Sequence, residues 1–521
     1  MTAGTDTHSE EVERELKLIV RGKIWSLDDE ALIRMLLSAL RACGLEAAVT
    51  LKSHGQVETV YWDTKRFRLA CAGLACRVRL EGGQRSVTIK TEDSGSEDRL
   101  LRKRMEFHAV LPADAGDIPD PSLFRESTIG SRIQALVGDR KLHPVFMTRV
   151  DRRTFRMAWQ DGCSIELMLD HGKLCAGSSR RQIREMEFEL LAGSPERLFK
   201  TAQALTSRFH LRWTAQSKFE RGLHLAGGPA MDRTLPDLPV ADPDTSLDDA
   251  VSAIMRAGLV RLADALKRIV SRSGTPETLH DFRVDLRHLQ SIVDLLQPVL
   301  EPTAFKTLRG AIKCLFRPTS PLREADMLLD SWRIFVGESG QAAICRKNLI
   351  QKKLDRHRLA CLGDLRRSLS RSRWTHSLLT LATWAHADRR INGEVSVRVY
   401  VAEQTDALVS AVVDAARLEA LIRAEDYHAL RIRVKRLRIL SMLFVLPDSP
   451  GAPGQLLDAD TLRGLQDALG DLHDAQVNHA LADSILPRLS AISGFSDWLD
   501  LRCANLRTAC DNLLDASVRT R

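Results

Sequence analysis

Hydrophobic and polar positions follow two different periods along this chain. Over roughly the first 220 residues, apolar side chains alternate with charged ones in short segments bounded by Gly, Asp and Pro, which predicts strands of antiparallel sheet. Glu13–Val20, Cys76–Leu80, Val87–Thr91, Arg102–His108, Ile165–Asp170 and Glu185–Leu190 each carry charge on one face and apolar residues on the other. Helices are predicted around Asp28–Cys43 and Pro195–Phe209. From about Leu247 the apolar residues recur three and four apart, predicting helices over Val251–Val270, Glu277–Leu296, Thr405–Ile422 and Tyr427–Leu446. Ala226–Thr245 lies between, with GGP, four Pro and four Asp, the composition of a surface linker.

The charged strand faces hold the first chemical information. A solvated sheet face laced with ion pairs is the plain reading of any one strand. Six strands share the habit, however, and the charge segregates: Glu185, Glu187 and Glu189 on one strand, Arg77 and Arg79 on another. A closed barrel with a charged lumen accounts for both features. Clustered carboxylates repel unless a hard cation such as Mg²⁺ or Mn²⁺ neutralises them, and fixed Arg and Lys call for a polyanion. The pattern therefore predicts a metal-bridged oligophosphate site.

Composition narrows the setting. At 521 residues the chain is too long for one core. No apolar run approaches the ~20 residues of a membrane span, and Met1–Glu15 lacks the features of a signal peptide. Ten Cys without a CxxC fit free thiols in a reducing cytoplasm. The expected location is cytoplasmic, with no membrane partner. The net charge of +8 is too small for this length to identify a partner.

Seven segments in order resemble the CYTH domains, the triphosphate tunnel metalloenzymes. Glu13-Arg-Glu15-Leu-Lys17 resembles their opening ExExK, Tyr61-Trp-Asp63-Thr64 their Y-F-D-T, and Ala75–Leu80 their L-R-x-R strand. Thr88–Lys90 is similar to T-x-K, Arg102–Glu106 to R-x-R-x-E, Glu185–Leu190 to E-x-E-x-E-L, and Ser217-Lys218 with Arg221 to S-K-x-x-R-G. The resemblance implies an eight-stranded antiparallel tunnel for a triphosphate and a divalent metal, Mg²⁺ or Mn²⁺. Carried over by position, Glu13, Glu15, Asp170, Glu185 and Glu187 are the metal candidates, with the choice among Glu185, Glu187 and Glu189 open. Lys17, Arg77, Arg79, Lys90, Arg104, Arg149, Arg153 and Lys218 are the phosphate candidates; Arg153 is preferred to Arg152 on parity. Glu13, Glu15, Lys17, Glu185 and Glu187 are the catalytic candidates, with Glu185 or Glu187 as acceptor of the water proton.

The helical half contains an internal repeat. His280-Asp-Phe-Arg283-Val-Asp-Leu-Arg287 parallels His428-Ala-Leu-Arg431-Ile-Arg-Val-Lys435, and Leu322–Asp326 parallels Leu472–Gln476. On a helix His280, Arg283 and Arg287 share one face, as do His428, Arg431, Lys435 and Arg438, opposite the apolar stripe. A solvated face is the plain reading, but its recurrence in both copies suits a groove for an extended polyanion. This half resembles the CHAD domain, which implies two pseudo-symmetric four-helix bundles and a cavity binding inorganic polyphosphate through those seven residues. Low aromatic content offers few stacking platforms, so no nucleic-acid partner is expected.

The expected fold class is α+β: an N-terminal antiparallel β tunnel barrel with flanking helices, then a C-terminal all-α region of duplicated four-helix bundles. The expected domains are 1–225, a linker at 226–245, and 246–521 in repeats of about 246–395 and 396–521. The expected activity is metal-dependent hydrolysis of inorganic tripolyphosphate to diphosphate and phosphate, beside a polyphosphate-binding domain. The alternatives are a non-catalytic polyphosphate-binding or granule-targeting protein, thiamine triphosphate hydrolysis, and ATP cyclisation.

Overall fold

The computed structural model describes residues 8–91, 100–112, 116, 118–125, 127–214, 216–230, 235–270, 275–339, 346–417, 424–444, 459–488, 490 and 493–516. Two compact units emerge. One comprises residues 1–236, 259–267 and 371–388, the other 237–258, 268–370 and 389–521.

In the first unit, strand β1 (His8–Val20) pairs with both β5 (Arg102–Leu111) and β8 (Ser179–Ala192), which closes an eight-stranded antiparallel barrel. Around it the order runs β1, β5, β4 (Gln84–Thr91), β3 (Leu74–Glu81), β2 (Ala48–Asp63), β6 (His143–Ala158), β7 (Ser164–Ala176), β8. A short β9 (Leu211–Trp213) extends the pairing at the end of β1. Strand alternation sends Glu13, Glu15 and Lys17 inward and Leu16, Leu18 and Val20 outward, and the outward apolar set is buried.

Helices cover that outer face. Asp28 caps α1 (Asp29–Arg41) by accepting from the Ala31 N–H at 2.7 Å, and Leu32, Leu36 and Leu40 face the core. Ser194 caps α4 (Pro195–Phe209), which buries Leu198, Phe199, Ala202 and Leu205. Over β3–β5, Ile133 and Val137 of α3 (Gly130–Val137) pack on Val78, Val87, Ile89 and Phe107. The Tyr61–Thr64 segment has a structural role here. The buried Asp63 carboxylate accepts from the Thr64, Leu69 and Ala70 N–H groups at 2.6, 3.0 and 2.9 Å, anchoring α2 (Arg68–Cys71).

One end of the barrel is plugged. The side chains of Ser217 and Glu220 form a capping box that starts α5 (Lys218–Leu225). Phe219 and Leu223 then join Tyr61, Phe146, Val150, Leu174 and Ile183 in an apolar cluster. Gly222 lets the helix approach, because a Cβ there would sit 2.1 Å from the Phe146 ring.

The remaining chain is helical: α6 (Leu247–Val270), α7 (Pro276–Leu295), α8 (Pro302–Phe316), α9 (Ser320–Glu338), α10 (Lys347–Leu369), α11 (Ser372–Ala385), α12 (Val397–Arg417), α13 (Ala424–Leu443), α14 (Ala459–Ile485) and α15 (Phe495–Leu514). The expected helix ends at 418–422 and 445–446 lie outside the described residues. In the second unit, α12–α15 share a core around Val412, Leu430, Val434, Leu469 and Leu514. Trp332 of α9 packs with Ile350, Leu486 and Phe495 in another. None of the helices among the described residues is long and apolar enough to cross a membrane.

Candidate active site

The barrel lumen collects charge from seven of the eight strands and from α5. Lys17, Arg77, Arg79, Lys90, Arg104, Arg152 and Lys218 line it together with Glu13, Glu15, Glu106, Asp170, Glu187 and Glu189. These groups divide into three sets according to their partners.

Beside the plug the charges satisfy one another. Lys218 Nζ lies 2.6 Å from Asp170, 2.7 Å from Glu187 and 3.3 Å from Glu185. Arg152 donates through two nitrogens to Asp170, both at 2.7 Å, and Arg221 pairs with Glu185. Burial opposes ionisation of Glu187, yet Lys17, Lys218 and Arg152 hold its carboxylate well below the usual range. Asp170 is likewise lowered by Arg152 and Lys218 against the effect of burial. Lys218 is raised because Asp170, Glu187 and Glu185 outweigh burial.

Away from the plug the carboxylates crowd. Glu189 stands opposite Glu15 across β8–β1 and opposite Glu166 across β7–β8. Glu15 pairs with Arg104 and Lys17, both at 3.0 Å, and Glu13 with Lys90 at 2.7 Å. Glu13 falls to about 2, burial being outweighed by Lys90, Lys17 and Arg104. Glu189 has no ion pair or hydrogen bond among the described side chains; burial, Glu13, Glu15 and Glu166 push it up to about 7.

The third set consists of cations crowded against one another, with Glu106 and Glu81 within ion-pair distance of Arg77 and Arg79 at 3.5 and 3.7 Å. Arg77 and Arg79 project from neighbouring lumen-facing positions of β3, and the Nε of each is buried without a hydrogen-bond partner. Burial, Arg77 and Arg152 bring Arg79 down to about 9. Burial and Arg77 bring Lys90 down to about 7 despite its contacts with Glu13 and Glu106. Such mutual repulsion in a buried wall is relieved by a bound anion.

Most of the residues selected from the sequence lie in this lumen, but two do not. Arg149 and Arg153 are on the outer wall of β6, where Arg149 pairs with Glu58 at 2.6 Å and Arg153 donates to the Leu27 carbonyl at 2.7 Å. Thr148, Val150 and Arg152 are the inward residues, so Arg152 replaces Arg153. The parity argument failed because the lumen beside the plug is apolar: Phe146 and Val150 face inward there, and charge no longer marks the inner face. Glu106 was overlooked although it closes the R-x-R-x-E segment; it contacts Lys90 and lies 3.5 Å from Arg77.

Among the described residues no three His, Cys, Asp or Glu side chains already converge as a ligand group. The donor chemistry at the crowded end nevertheless fits a hard divalent cation, because carboxylates on facing strands include Glu189, which makes no ion pair among the described residues and is raised by burial and neighbouring carboxylates in spite of Lys90. Asp170, Glu185 and Glu187 are engaged by Lys218, Arg152 and Arg221, as Glu13 and Glu15 are by Lys90, Lys17 and Arg104.

A second basic cavity lies within the helical unit. Arg283 and Arg287 of α7, Arg309 of α8, Arg323 of α9, and His428, Arg431, Lys435 and Arg436 of α13 line it, with His473 of α14. Five of the seven sequence candidates are present. His280 and Arg438, about one turn before Arg283 and after Lys435, are not in the lining. Arg283 is held rigidly: it donates to Thr319 and Ser320 hydroxyls at 2.8 and 2.9 Å and lies 4.2 Å from the Phe316 ring centroid. Burial, Arg287 and Arg431 push Lys435 down to about 7. Arg323 and His473, at matching positions of the repeat, were missed; the repeat itself was the signal for them.

Comparisons with known proteins agree with both halves. The CYTH domain family model matches residues 30–223, and the CHAD domain family model matches residues 253–483. An inorganic triphosphatase of Haemophilus influenzae is 26% identical over 167 residues, which is 31% of this chain. The match spans 44% of that relative's own length. Among solved structures, the CHAD domain from the plant Ricinus communis is 21% identical, with a TM-score of 0.46, covering 56% of this chain and 98% of that one. PptA from Streptomyces chartreusis is 14% identical, with a TM-score of 0.43, covering 52% of this chain and 99% of that one.

Proposed function

The chain carries a CYTH domain followed by a CHAD domain, and from that premise we propose that it is a divalent-metal-dependent inorganic triphosphatase with a polyphosphate-binding helical module. The observation that carries the catalytic reading is the buried pair Arg77 and Arg79, whose Nε atoms lack hydrogen-bond partners, facing the crowded carboxylates Glu13, Glu15 and Glu189. Mutually repelling cations at one wall, and mutually repelling carboxylates at the other, describe a site for a phosphate chain and a metal together. The distant Haemophilus influenzae triphosphatase supports the same substrate class.

In this reading Glu13, Glu15 and Glu189 hold Mg²⁺ or Mn²⁺. The metal, when bound, neutralises phosphate oxygens and polarises them toward attack. Arg77, Arg79 and Lys90 clamp the triphosphate, and their fork and point-charge donors fix its register. Phosphoryl transfer asks the protein for positioning and charge stabilisation more than for covalent chemistry, and the clamps supply both as charge moves onto the leaving oxygen. Glu187 and Asp170, held ionised by cations, are poor proton acceptors at neutral pH; they hold Lys17, Arg152 and Lys218 in place. The substrate is assigned as tripolyphosphate, and diphosphate and phosphate are the products. Residues 1–225 form the catalytic domain and 246–521 the binding domain in this reading. The reading places the protein in a reducing cytoplasm, which suits the free thiols among the described cysteines.

The helical cavity is assigned to inorganic polyphosphate because Arg287, Arg323, Arg431 and Lys435 converge from both halves of the repeat. Phosphate release from tripolyphosphate, ATP and thiamine triphosphate, compared side by side, tests the substrate assignment. Turnover of tripolyphosphate well above the other two is expected; preferential turnover of either organic triphosphate overturns it.

A further inference from the structure

The outer wall of the barrel carries a charged face that neither cavity explains. On β6, β7 and β8 the ladder sets Arg149 opposite Lys173, Asp151 opposite His171, His171 opposite Arg184, and Cys175 opposite Arg180. Arg149, Lys173, Arg180 and Arg184 are all exposed, and all lie on the wall facing away from the lumen. An open groove over β2, β6 and β7 is rimmed by Arg149, Lys173 and Arg180.

Charge balance on this face differs from that in the lumen. Glu58 is taken by Arg149, and Asp151 faces His54 and Gln56. Among the described residues, Lys173, Arg180 and Arg184 have no carboxylate partner; Arg180 donates only to the Gly177 and Ser179 carbonyls. Like charges directly opposite on a ladder destabilise it, so Arg149 facing Lys173 costs stability that a solvated face of mixed sign would not.

We propose that this face is an accessory docking track for a linear inorganic polyphosphate chain, separate from the lumen and from the helical cavity. Arginine forks and a lysine point charge on adjacent strands match a chain that carries a charge on every phosphate. Single-stranded nucleic acid matches less well, because Trp25, the ring beside this face, is already stacked on His171 at 4.7 Å and offers no open platform. The inference does not depend on the triphosphatase reading, since none of these residues touches the lumen.

The test uses the full chain with two triple variants: Lys173→Gln, Arg180→Gln, Arg184→Gln, and the same three positions changed to Glu. Binding of fluorescently labelled long-chain polyphosphate is measured across a salt series, in the wild-type helical cavity and in one altered by Arg287→Gln and Lys435→Gln. In the altered-cavity background the neutral triple variant should weaken binding about tenfold and flatten its salt dependence, the Glu variant more so. Tripolyphosphate hydrolysis should be unchanged in both. Wild-type affinity and salt slope in the triple variants would overturn the proposal. So would equal loss of binding to a single-stranded RNA of matched length, which would make the face a nucleic-acid site.

Discussion

Glu189 faces Glu15 directly across the β8–β1 ladder, and it makes no ion pair among the described residues, Lys90 acting on it only at longer range. Glu13, Glu15, Glu106, Asp170 and Glu187 each have a basic partner, so Glu189 marks the end where the protein's own charges are least compensated. Glu15→Gln and Glu189→Gln should each raise the metal concentration needed for half-maximal turnover by about 10- to 100-fold, taking loss of a ligand to be at least as costly as loss of an outer-shell partner. Titration of Mg²⁺ and Mn²⁺ into metal-stripped enzyme checks this.

Arg79 and Lys218 should separate catalysis from stability. Removing Arg79 takes away a clamp that is repelled by Arg77 and Arg152. Arg79→Met is therefore expected to lower kcat/KM by about 10²–10³ with Tm unchanged or raised. Lys218→Met leaves Asp170, Glu185 and Glu187 short of a cation and should destabilise the fold by about 3–5 kcal/mol. Steady-state kinetics and thermal melts on the two variants distinguish the roles.

Asp63 belongs to a motif that looks chemical in the sequence but is an anchor in the fold. Its carboxylate satisfies three N–H groups at the start of α2, and Asp63→Ala should cost about 2 kcal/mol of stability. Denaturant unfolding would register the loss, while KM for tripolyphosphate should stay at the wild-type value.

Lys435 gives the helical cavity a pH dependence of predictable sign. Its ammonium is pushed down to about 7 by burial, Arg287 and Arg431, so in the free cavity it loses its proton above neutrality. A polyanion favours the charged form, and binding above neutral pH must take up that proton. Affinity for polyphosphate should fall as pH rises from about 7 to about 9, by up to about tenfold per pH unit. In Lys435→Arg the dependence should flatten, as the guanidinium remains charged throughout. Isothermal titration calorimetry in buffers of different ionisation enthalpy reads the proton uptake directly.

Much of the barrel was legible because strand alternation and charge coincide wherever the lumen is polar. Glu15, Lys17, Arg77, Arg79, Lys90 and Arg104 each sit beside an apolar neighbour that packs on the outer side of the barrel, so their faces could be read, and Glu13 follows from the alternation. β6 could not be read that way. Asp151, Arg152 and Arg153 are consecutive charges, and the apolar residues that face inward near them, Phe146 and Val150, belong to a plug formed by α5 far along the chain. The choice among Glu185, Glu187 and Glu189 depended on where Lys218 and Arg221 reach back, a tertiary relationship without a local signature. In the helical half the repeat identified α7 and α13, but Arg309 has no counterpart in it and only the packing of α8 brings it to the cavity.

The most direct test of the central claim is phosphate release from tripolyphosphate by the full chain, with Mg²⁺ or Mn²⁺, with EDTA, and with EDTA followed by excess metal. The account predicts release that EDTA abolishes and added metal restores, and that Arg79→Met reduces under the same conditions. Release that persists in EDTA, or that is absent with either metal while the wild-type chain is folded, would contradict it.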